Sequence, residues 1–200
     1  MEGPFQMSTS NASRDPRSRA DAVRNQQRVL KATKALLSDV GATITVEAIA
    51  RKAGVGMATV VRSFGNKEAL IDAAVADLLE PIVQRARDAL SEPSPETAVR
   101  GFLLELIAFQ STHWIMGEQL RELDLPATKA QRAALRKAAL DLISRARDNG
   151  AIRTDIDATI AAVLIGEATY AIARSESASP ELFDSYVSVL MDGLRPQPPR

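Results

Sequence analysis

The stretch that decides the fold is Val46–Gly65, which reads VEAIARKAGVGMATVVRSFG. Its apolar residues recur at helical spacing on both sides of Gly54, so the pattern predicts a helix, a tight turn and a second helix. Gly54 supplies the positive φ of the turn, and Val55 fills the corner between the helices. The residues predicted to face inward are Ile49, Ala50, Ala53, Val60 and Phe64.

The remaining residues of the second helix are predicted to form an outer surface. A helix-turn-helix motif places the leading end of its second helix in the major groove of DNA. We therefore expect DNA contacts from the residues that face outward or lie at that leading end: Gly56, Met57, Ala58, Thr59, Arg62 and Ser63.

An amphipathic helix with a basic stripe is predicted before this motif, over residues 21–40. Arg24, Arg28 and Lys31 follow one another at i, i+4 and i+7. Such a stripe alone is typical of a solvated helix face, but beside a helix-turn-helix it predicts phosphate contacts. Thr45 is predicted to cap the next helix, and the same helix N-terminus attracts anions, so capping and phosphate binding are compatible there.

Residues 1–20 are rich in Ser, Asn, Pro and Arg without periodicity, which predicts a disordered basic arm. Its arginines, Arg14, Arg17 and Arg19, either reach a minor groove or remain free of DNA. Both alternatives stay open from the sequence.

Charge is distributed unevenly along the chain. The 200 residues carry 25 basic and 25 acidic side chains, yet 11 basic and 5 acidic ones lie within residues 1–67. The following residues carry 14 basic and 20 acidic side chains. A basic N-terminal module joined to an acidic body is typical of a chain whose one end meets a polyanion.

Composition excludes several classes of function. The absence of cysteine rules out disulfides, thiolate metal sites and a cysteine nucleophile, and the single histidine, His113, rules out a multi-histidine metal site. Neither a glycine-rich phosphate loop nor a nucleophile elbow is present. We expect a protein that is not an enzyme and uses no cofactor and no metal. Without a long apolar run or a signal peptide, we expect no membrane partner and a cytoplasmic location.

Helical periodicity continues through the body, residues 67–200, and no strand is predicted, so we expect an all-α fold. Asn66 is predicted to cap a linking helix over residues 67–90, with Pro81 kinking it or starting a second segment. A helix to about Trp114 and a short helix over residues 120–126 follow. The last three helices are predicted over residues 127–149, closed by Gly150, and over residues 158–175 and 180–194.

The last two helices are strongly apolar, which favours a partner. Paired across a twofold axis, two such faces make a four-helix bundle. We therefore expect a homodimer whose interface contains Ile160, Leu164, Ala168, Ala171, Leu182, Tyr186, Leu190 and Leu194.

The whole arrangement resembles the TetR family of bacterial transcriptional regulators, whose members have a three-helix DNA-binding head, here residues 21–66, and a helical ligand-binding and dimerisation body. The resemblance is carried by Thr45–Val55 (TVEAIARKAGV), Thr59, Phe64 and Asn66–Leu70 (NKEAL). Weaker likeness lies in GAIRTDID from Gly150 and MDGLR from Met191. The resemblance implies phosphate contacts at Thr45, Thr59 and Lys67, with the segment 56–63 against base edges and backbone.

Three positions depart from that family pattern. Gly56 stands where a serine is frequent, Val61 where a tyrosine is usual, and Ser63 where a histidine or tyrosine is frequent. We expect Arg62 to make the main positively charged contact with DNA, either to a guanine base or to a phosphate.

An aromatic stripe in the body is either core or ligand pocket. Phe102, Leu106, Phe109 and His113 share one helix face, with Trp114, Met116 and Tyr170 as neighbours. Such a stripe is usually core, but the resemblance implies a cavity for a small apolar or amphipathic effector. The expected function is that of a repressor that binds a palindromic operator as a dimer and is released by its ligand. The alternative is an architectural DNA-binding protein without an effector.

Overall fold

The computed structural model describes residues 16–39, 41–120 and 122–196, with side chains from Arg19 onward. The helices are α1 (Pro16–Leu37), α2 (Val46–Ala53), α3 (Met57–Phe64), α4 (Lys67–Asp88), α5 (Pro95–Gln119), α6 (Pro126–Asp148), α7 (Ala158–Ala173) and α8 (Pro180–Leu194), and a short 3-10 turn spans Ala89–Ser91. These ranges contain no strand, which confirms the all-α prediction.

Helices α1, α2 and α3 form the head around a small apolar core. Val29 of α1 and Ile49 of α2 are fully buried, and Val60 of α3 is 2% exposed. Leu70, from the first turn of α4, packs into the same cluster. The head core therefore needs a residue from the helix that follows it.

Helix α4 contributes to two cores at once. Leu70 lies in the head core, whereas Ile71 and Val75 lie in the larger core of the body. Pro81 sits inside α4, which continues past it to Asp88. The chain thus passes from head to body within a continuous helix.

The body packs α5, α6, α7 and α8 with α4 around a second, larger core. Ile107 of α5, Ile152 after α6 and Val187 of α8 are each at most 1% exposed. Helix α6 packs along α4, and helices α7 and α8 both pack against α5. This arrangement places α4 between the head and the remaining helices of the body.

A buried carboxylate fastens α6 to α4. Asp72 of α4 is 7% exposed and accepts hydrogen bonds from the backbone N–H groups of Ala127 and Thr128, both at 2.8 Å. The Thr128 hydroxyl donates a third hydrogen bond at 2.8 Å. A carboxylate is well suited to the first turn of α6, where backbone N–H groups lack helical partners.

The predicted N-caps of three helices are present in the structure. The side chains of Thr45, Asn66 and Asp157 accept hydrogen bonds from the first turns of α2, α4 and α7. Gly150, predicted to close α6, has a φ of 69°. Local hydrogen bonding decides these boundaries, which is why a sequence can predict them.

Three predicted boundaries were wrong. Helix α1 begins at Pro16, so residues 16–20 are helical rather than part of a disordered arm; residues 1–15, including Arg14, lie outside the described part. Helix α5 continues to Gln119 rather than ending near Trp114. No short helix forms over the described residues of 120–126, where the chain makes turns before α6.

Candidate DNA-binding surface and ligand pocket

The turn between α2 and α3 is built around Gly54. This residue has φ 65° and ψ 41°, the left-handed conformation that glycine adopts without steric cost. The N–H of Val55 then donates to the carbonyl of Ala50 at 3.0 Å, which closes the turn. Arg28 donates a hydrogen bond to the Gly54 carbonyl at 3.0 Å, so α1 holds the turn from behind.

A side chain at position 54 would collide with this brace. A Cβ atom there would lie 2.7 Å from Nη2 of Arg28. Arg28 was predicted from the sequence as a phosphate contact, but its guanidinium also has this structural task. Arg24, in the same predicted stripe, is exposed and forms an ion pair with Asp21.

Helix α3 presents its leading end and one face to solvent. Met57 and Val61 are 52% and 48% exposed, and Gly56, Ala58, Arg62 and Ser63 are exposed as well. Thr59 is half-buried, and its hydroxyl accepts from Nη2 of Arg62 at 3.3 Å. The exposed set therefore includes Val61, which the sequence reasoning had noted only as a departure from the family pattern.

Two predicted phosphate contacts lie at helix N-termini. The hydroxyl of Thr45 accepts from the N–H of Ala48 at 3.1 Å at the start of α2. Asn66 caps α4 in the same way, accepting from the N–H of Ala69 at 2.7 Å. Lys67 is exposed beside this cap. Free N–H groups at helix N-termini favour anions, and a lysine beside one adds positive charge.

A cavity of about 330 Å³ opens between α4, α5, α6 and α7. Six of the seven predicted ligand residues line it: Leu106, Phe109, His113, Trp114, Met116 and Tyr170. Phe102 does not; it is 6% exposed and borders a separate void of about 40 Å³. Phe102 was predicted at the pocket but lies outside it, because the cavity runs along the later turns of α5.

Polar contacts organise the aromatic wall of the pocket. His113 stacks on Phe109, with ring centroids 4.5 Å apart, and its Nδ1 lies 2.8 Å from the Phe109 carbonyl. A carbonyl only accepts hydrogen bonds, so Nδ1 must carry the proton. The Tyr170 hydroxyl donates to Glu118 at 2.8 Å. Burial and the bond to Glu118 raise the pKa of Tyr170, which keeps this hydroxyl protonated near neutral pH.

Sequence reasoning missed four polar residues at this pocket. Gln110 and Glu118 of α5 and Arg132 and Arg136 of α6 also line it. The arginines are four residues apart, a spacing that places both on one helix face. That spacing was a readable signal, but the sequence did not show which neighbouring helices the face would meet.

The exposed apolar face of the body lies mainly on α7. Ile160 and Leu164, both predicted for a dimer interface, are 56% and 59% exposed, and Val163 is 59% exposed. Val189 of α8, absent from the predicted set, is 73% exposed. The other predicted positions are exposed at Ala171 and half-buried at Ala168, Leu182, Tyr186 and Leu190.

Leu194 does not belong with this face. It was predicted as an interface residue, but it is 7% exposed and packs inside the body core of its own protomer. The i+4 row from Leu182 to Leu194 drifts around α8, because four residues exceed one turn of 3.6.

The described ranges contain neither a metal-binding cluster nor a membrane-spanning helix. No group of three or more His, Asp or Glu side chains is arranged there to hold a metal ion. Over the same residues, no helix combines the length and apolar character needed to cross a membrane.

Taken together, the braced turn and the exposed α3 define a helix-turn-helix DNA-binding protein. Residues 29–74 match the family described as bacterial regulatory proteins, tetR family. Residues 94–196 match the C-terminal domain of SbtR-like transcriptional regulators. The chain belongs to the TetR family of DNA-binding transcriptional regulators.

Individual relatives agree with this assignment. The chain is 35% identical over 94 residues to the HTH-type transcriptional regulator BetI 2 of Chromohalobacter salexigens, a match that spans 45% of this chain and 44% of that relative. It is 30% identical to a TetR transcription regulatory protein from Mycobacterium vanbaalenii, covering 88% of this chain and 98% of that structure with a TM-score of 0.64.

A more distant structure shares the fold alone. FadR of Bacillus subtilis, solved in complex with stearoyl-CoA, is 14% identical and has a TM-score of 0.70. The superposition covers 84% of this chain and 99% of FadR.

Proposed function

We propose that this protein is a repressor that binds a palindromic operator as a homodimer and leaves DNA when a small molecule enters the body pocket. The observation that carries the proposal is the path of helix α4. Leu70 near its start packs in the head core, and Val75 and Leu79 line the pocket. One helix therefore connects the ligand site to the DNA-binding head.

Dimerisation is proposed through the exposed apolar face of α7 and α8. Ile160, Val163, Leu164 and Val189 are all more than half exposed. An exposed apolar helix face of this kind is typical of a protein interface, and a twofold axis would pair it with its own copy. The same axis would present two α3 helices to successive major grooves, roughly 34–36 Å apart, and so select a palindrome.

Ligand release is proposed to act through the packing of α4 against α6. The pocket takes residues from both helices, and the hydrogen bonds of Asp72 hold them together beside it. A ligand that favours a different separation of α4 and α6 would tilt α4 and with it the head. Only the difference in ligand affinity between the two states can drive such a shift.

The volume of the cavity supports a role as a ligand pocket. FadR of Bacillus subtilis, which has this fold, was solved with stearoyl-CoA bound. The cavity of about 330 Å³ lies at the lower end of the roughly 300–1,000 Å³ range of ligand pockets. A regulator with an effector therefore fits these observations better than an architectural DNA-binding protein does. We place this regulator in the cytoplasm.

Selection from random duplex DNA with the purified full-length chain tests the proposal. The selection is repeated over a salt series, and the enriched sequences are examined for twofold symmetry. An enriched palindrome is the expected result. Salt-sensitive binding without any enriched sequence would instead favour the architectural alternative.

The enriched duplex then serves as the probe for ligand release. Fluorescence anisotropy of the labelled duplex with the dimer, titrated with a compound library, should identify molecules that dissociate the complex. A variant with the pocket filled by Gly117→Trp is the matched control, because it should keep DNA affinity and lose the response.

A further inference from the structure

Two arginines at the pocket have no acidic partner within the part of the chain that the structure describes. Arg132 and Arg136 both line the cavity, four residues apart on α6. The two lysines nearest to them on α6 are ion-paired: Lys129 with Asp124 at 2.6 Å, and Lys137 with Asp141 at 2.7 Å. The cations of this half of α6 thus divide into a paired set away from the cavity and an unpaired set at it.

The spacing of the unpaired pair makes an anion favourable between them. Like charges at i and i+4 on a helix repel each other. A guanidinium offers a planar fork of donors that matches a carboxylate, which lysine does not. A bound carboxylate would relieve the repulsion and engage both forks.

The other charges at the pocket argue against a cationic ligand. Arg174 already lies over the rings of Tyr170 and Trp114, at 5.3 and 5.8 Å from their centroids. Glu118 already accepts a hydrogen bond from the hydroxyl of Tyr170. The aromatic faces and the carboxylate that would attract a cation are therefore engaged by the protein itself.

We propose that the effector is a small carboxylic acid with an apolar body, whose carboxylate binds Arg132 and Arg136 while its apolar part packs against Leu106, Phe109 and Trp114. Among the described residues, the charged side chains that line the cavity are Glu118, Arg132 and Arg136, which sum to one positive unit and match a monoanion. This inference rests on the proposed role of the pocket and adds the chemical class of its ligand.

Trp114 provides a direct test, because it is the single tryptophan of the chain and lines the cavity. The full-length protein is titrated near neutral pH with decanoate, 1-decanol and decylamine, which share one chain length and differ in charge. Quenching or shift of the tryptophan emission gives each dissociation constant. We expect decanoate to bind about tenfold tighter than either of the others, the effect of one or two charge-assisted hydrogen bonds.

Matched variants of α6 assign the preference to the arginines. Arg132→Gln with Arg136→Gln should remove the preference for decanoate and leave the affinity for 1-decanol unchanged. Lys129→Gln with Lys137→Gln removes the same charge from the same helix and should keep the preference. Far-UV circular dichroism verifies that both double variants fold.

The outcomes separate this inference from the proposed function. A preference for decanoate that survives in the arginine variant, equal or tighter binding of 1-decanol or decylamine, or no saturable binding of decanoate overturns the inference, whatever the operator experiment shows. If decanoate binds through the arginines but does not dissociate the operator complex, the ligand class stands and the release mechanism is wrong.

Discussion

The head and the body are held in shape by contacts of different range. In the head, the turn between α2 and α3 rests on Gly54, on the hydrogen bond from Arg28 and on capping groups within a few residues. In the body, Asp72 joins helices whose contacting residues are 55 and 56 positions apart. The head can therefore keep its geometry as a unit while the packing of the body changes around the pocket.

This difference suits a protein that transmits a signal by moving one helix. A recognition surface must hold its donors in fixed positions to read DNA. A ligand pocket must have two packings of similar free energy if a small molecule is to shift between them. The predictions below test whether rigidity resides in the head and adjustability in the body.

The largest change in free energy is expected for dimerisation, from Leu164→Asp on the outer face of α7. If this face pairs with its copy, two carboxylates meet in an apolar interface, and each costs several kcal/mol to desolvate. Dimerisation should weaken by on the order of 5 kcal/mol or more. Analytical ultracentrifugation should show monomers at micromolar concentration.

Val23→Asp is the matched control for this variant. Val23 lies on α1 of the head and is 52% exposed, similar to the 59% of Leu164. It should leave the mass of the dimer unchanged. A Leu164→Asp protein that remains dimeric would contradict the interface proposed here.

The next largest effect is expected on stability, from loss of the buried Asp72 carboxylate that joins α4 to α6. Asp72→Ala leaves two backbone N–H groups at a buried site without their acceptor, and the Thr128 hydroxyl keeps only its 3.4 Å contact with the backbone carbonyl of residue 72. We expect the free energy of unfolding to fall by about 3 kcal/mol, the range for unsatisfied buried polar groups. Urea denaturation followed by circular dichroism measures it.

Asp77→Ala tests whether burial is the cause. Asp77 lies on the same helix and pairs with Lys34 of α1, with side chains 39% and 31% exposed. Exposed pairs contribute about 0–1 kcal/mol, so this variant should lose much less stability. Equal losses of stability in the two variants would show that the buried hydrogen bonds of Asp72 contribute no more than the ion pair of Asp77.

How far each region could be predicted follows the same division. The turn, the caps at Thr45 and Asn66 and the outward face of α3 depend on neighbouring residues, and sequence patterns predicted them. Leu194 was misplaced because periodicity cannot tell which side of a helix meets its own body and which side is left for a partner. Whether Phe102 and the two pocket arginines line the cavity depends on where four helices meet, and no local pattern specifies that.

A third prediction concerns the rigidity of the head. Gly54→Ser should destabilise the protein by about 2 kcal/mol, because a serine in the left-handed region is strained. Its Cβ would also displace Arg28, whose Nη2 would lie 2.7 Å away. Gly56→Ser makes the same change where a Cβ meets nothing within 4 Å and where α3 lacks a side-chain cap.

The two serine variants should therefore move in opposite directions. Serine is a favourable N-cap, so Gly56→Ser should gain a few tenths of a kcal/mol. Thermal denaturation of both proteins under one buffer condition gives the comparison. A Gly54→Ser protein as stable as Gly56→Ser would mean that the turn tolerates a side chain and that the hydrogen bond from Arg28 is dispensable.

A fourth prediction separates reading DNA from holding the head together. Arg62 is exposed, and its one described hydrogen bond joins it to Thr59 on the same helix. Arg62→Ala should lower affinity for the selected operator by about 10–100-fold, the discrimination of one bidentate base contact, and leave the melting temperature unchanged. Unchanged operator affinity in an anisotropy titration would remove Arg62 from the reading surface.

The smallest effect is a change in the pH dependence of stability. Burial raises the pKa of Asp72, but its hydrogen bonds from Thr128 and Ala127 outweigh this, and the net pKa is below the ordinary value of 3.8. A carboxyl with a depressed folded-state pKa stabilises the protein above its unfolded pKa, and this contribution is lost as the pH falls through the folded value. Between pH 5 and 3 the unfolded state binds more protons at this site than the folded state does.

Asp72→Asn removes this titration, so the unfolding free energy of the variant should fall less steeply over that interval than that of the unchanged protein. Urea denaturation at intervals of half a pH unit measures both slopes. Parallel slopes would contradict a lowered pKa of Asp72 in the folded state.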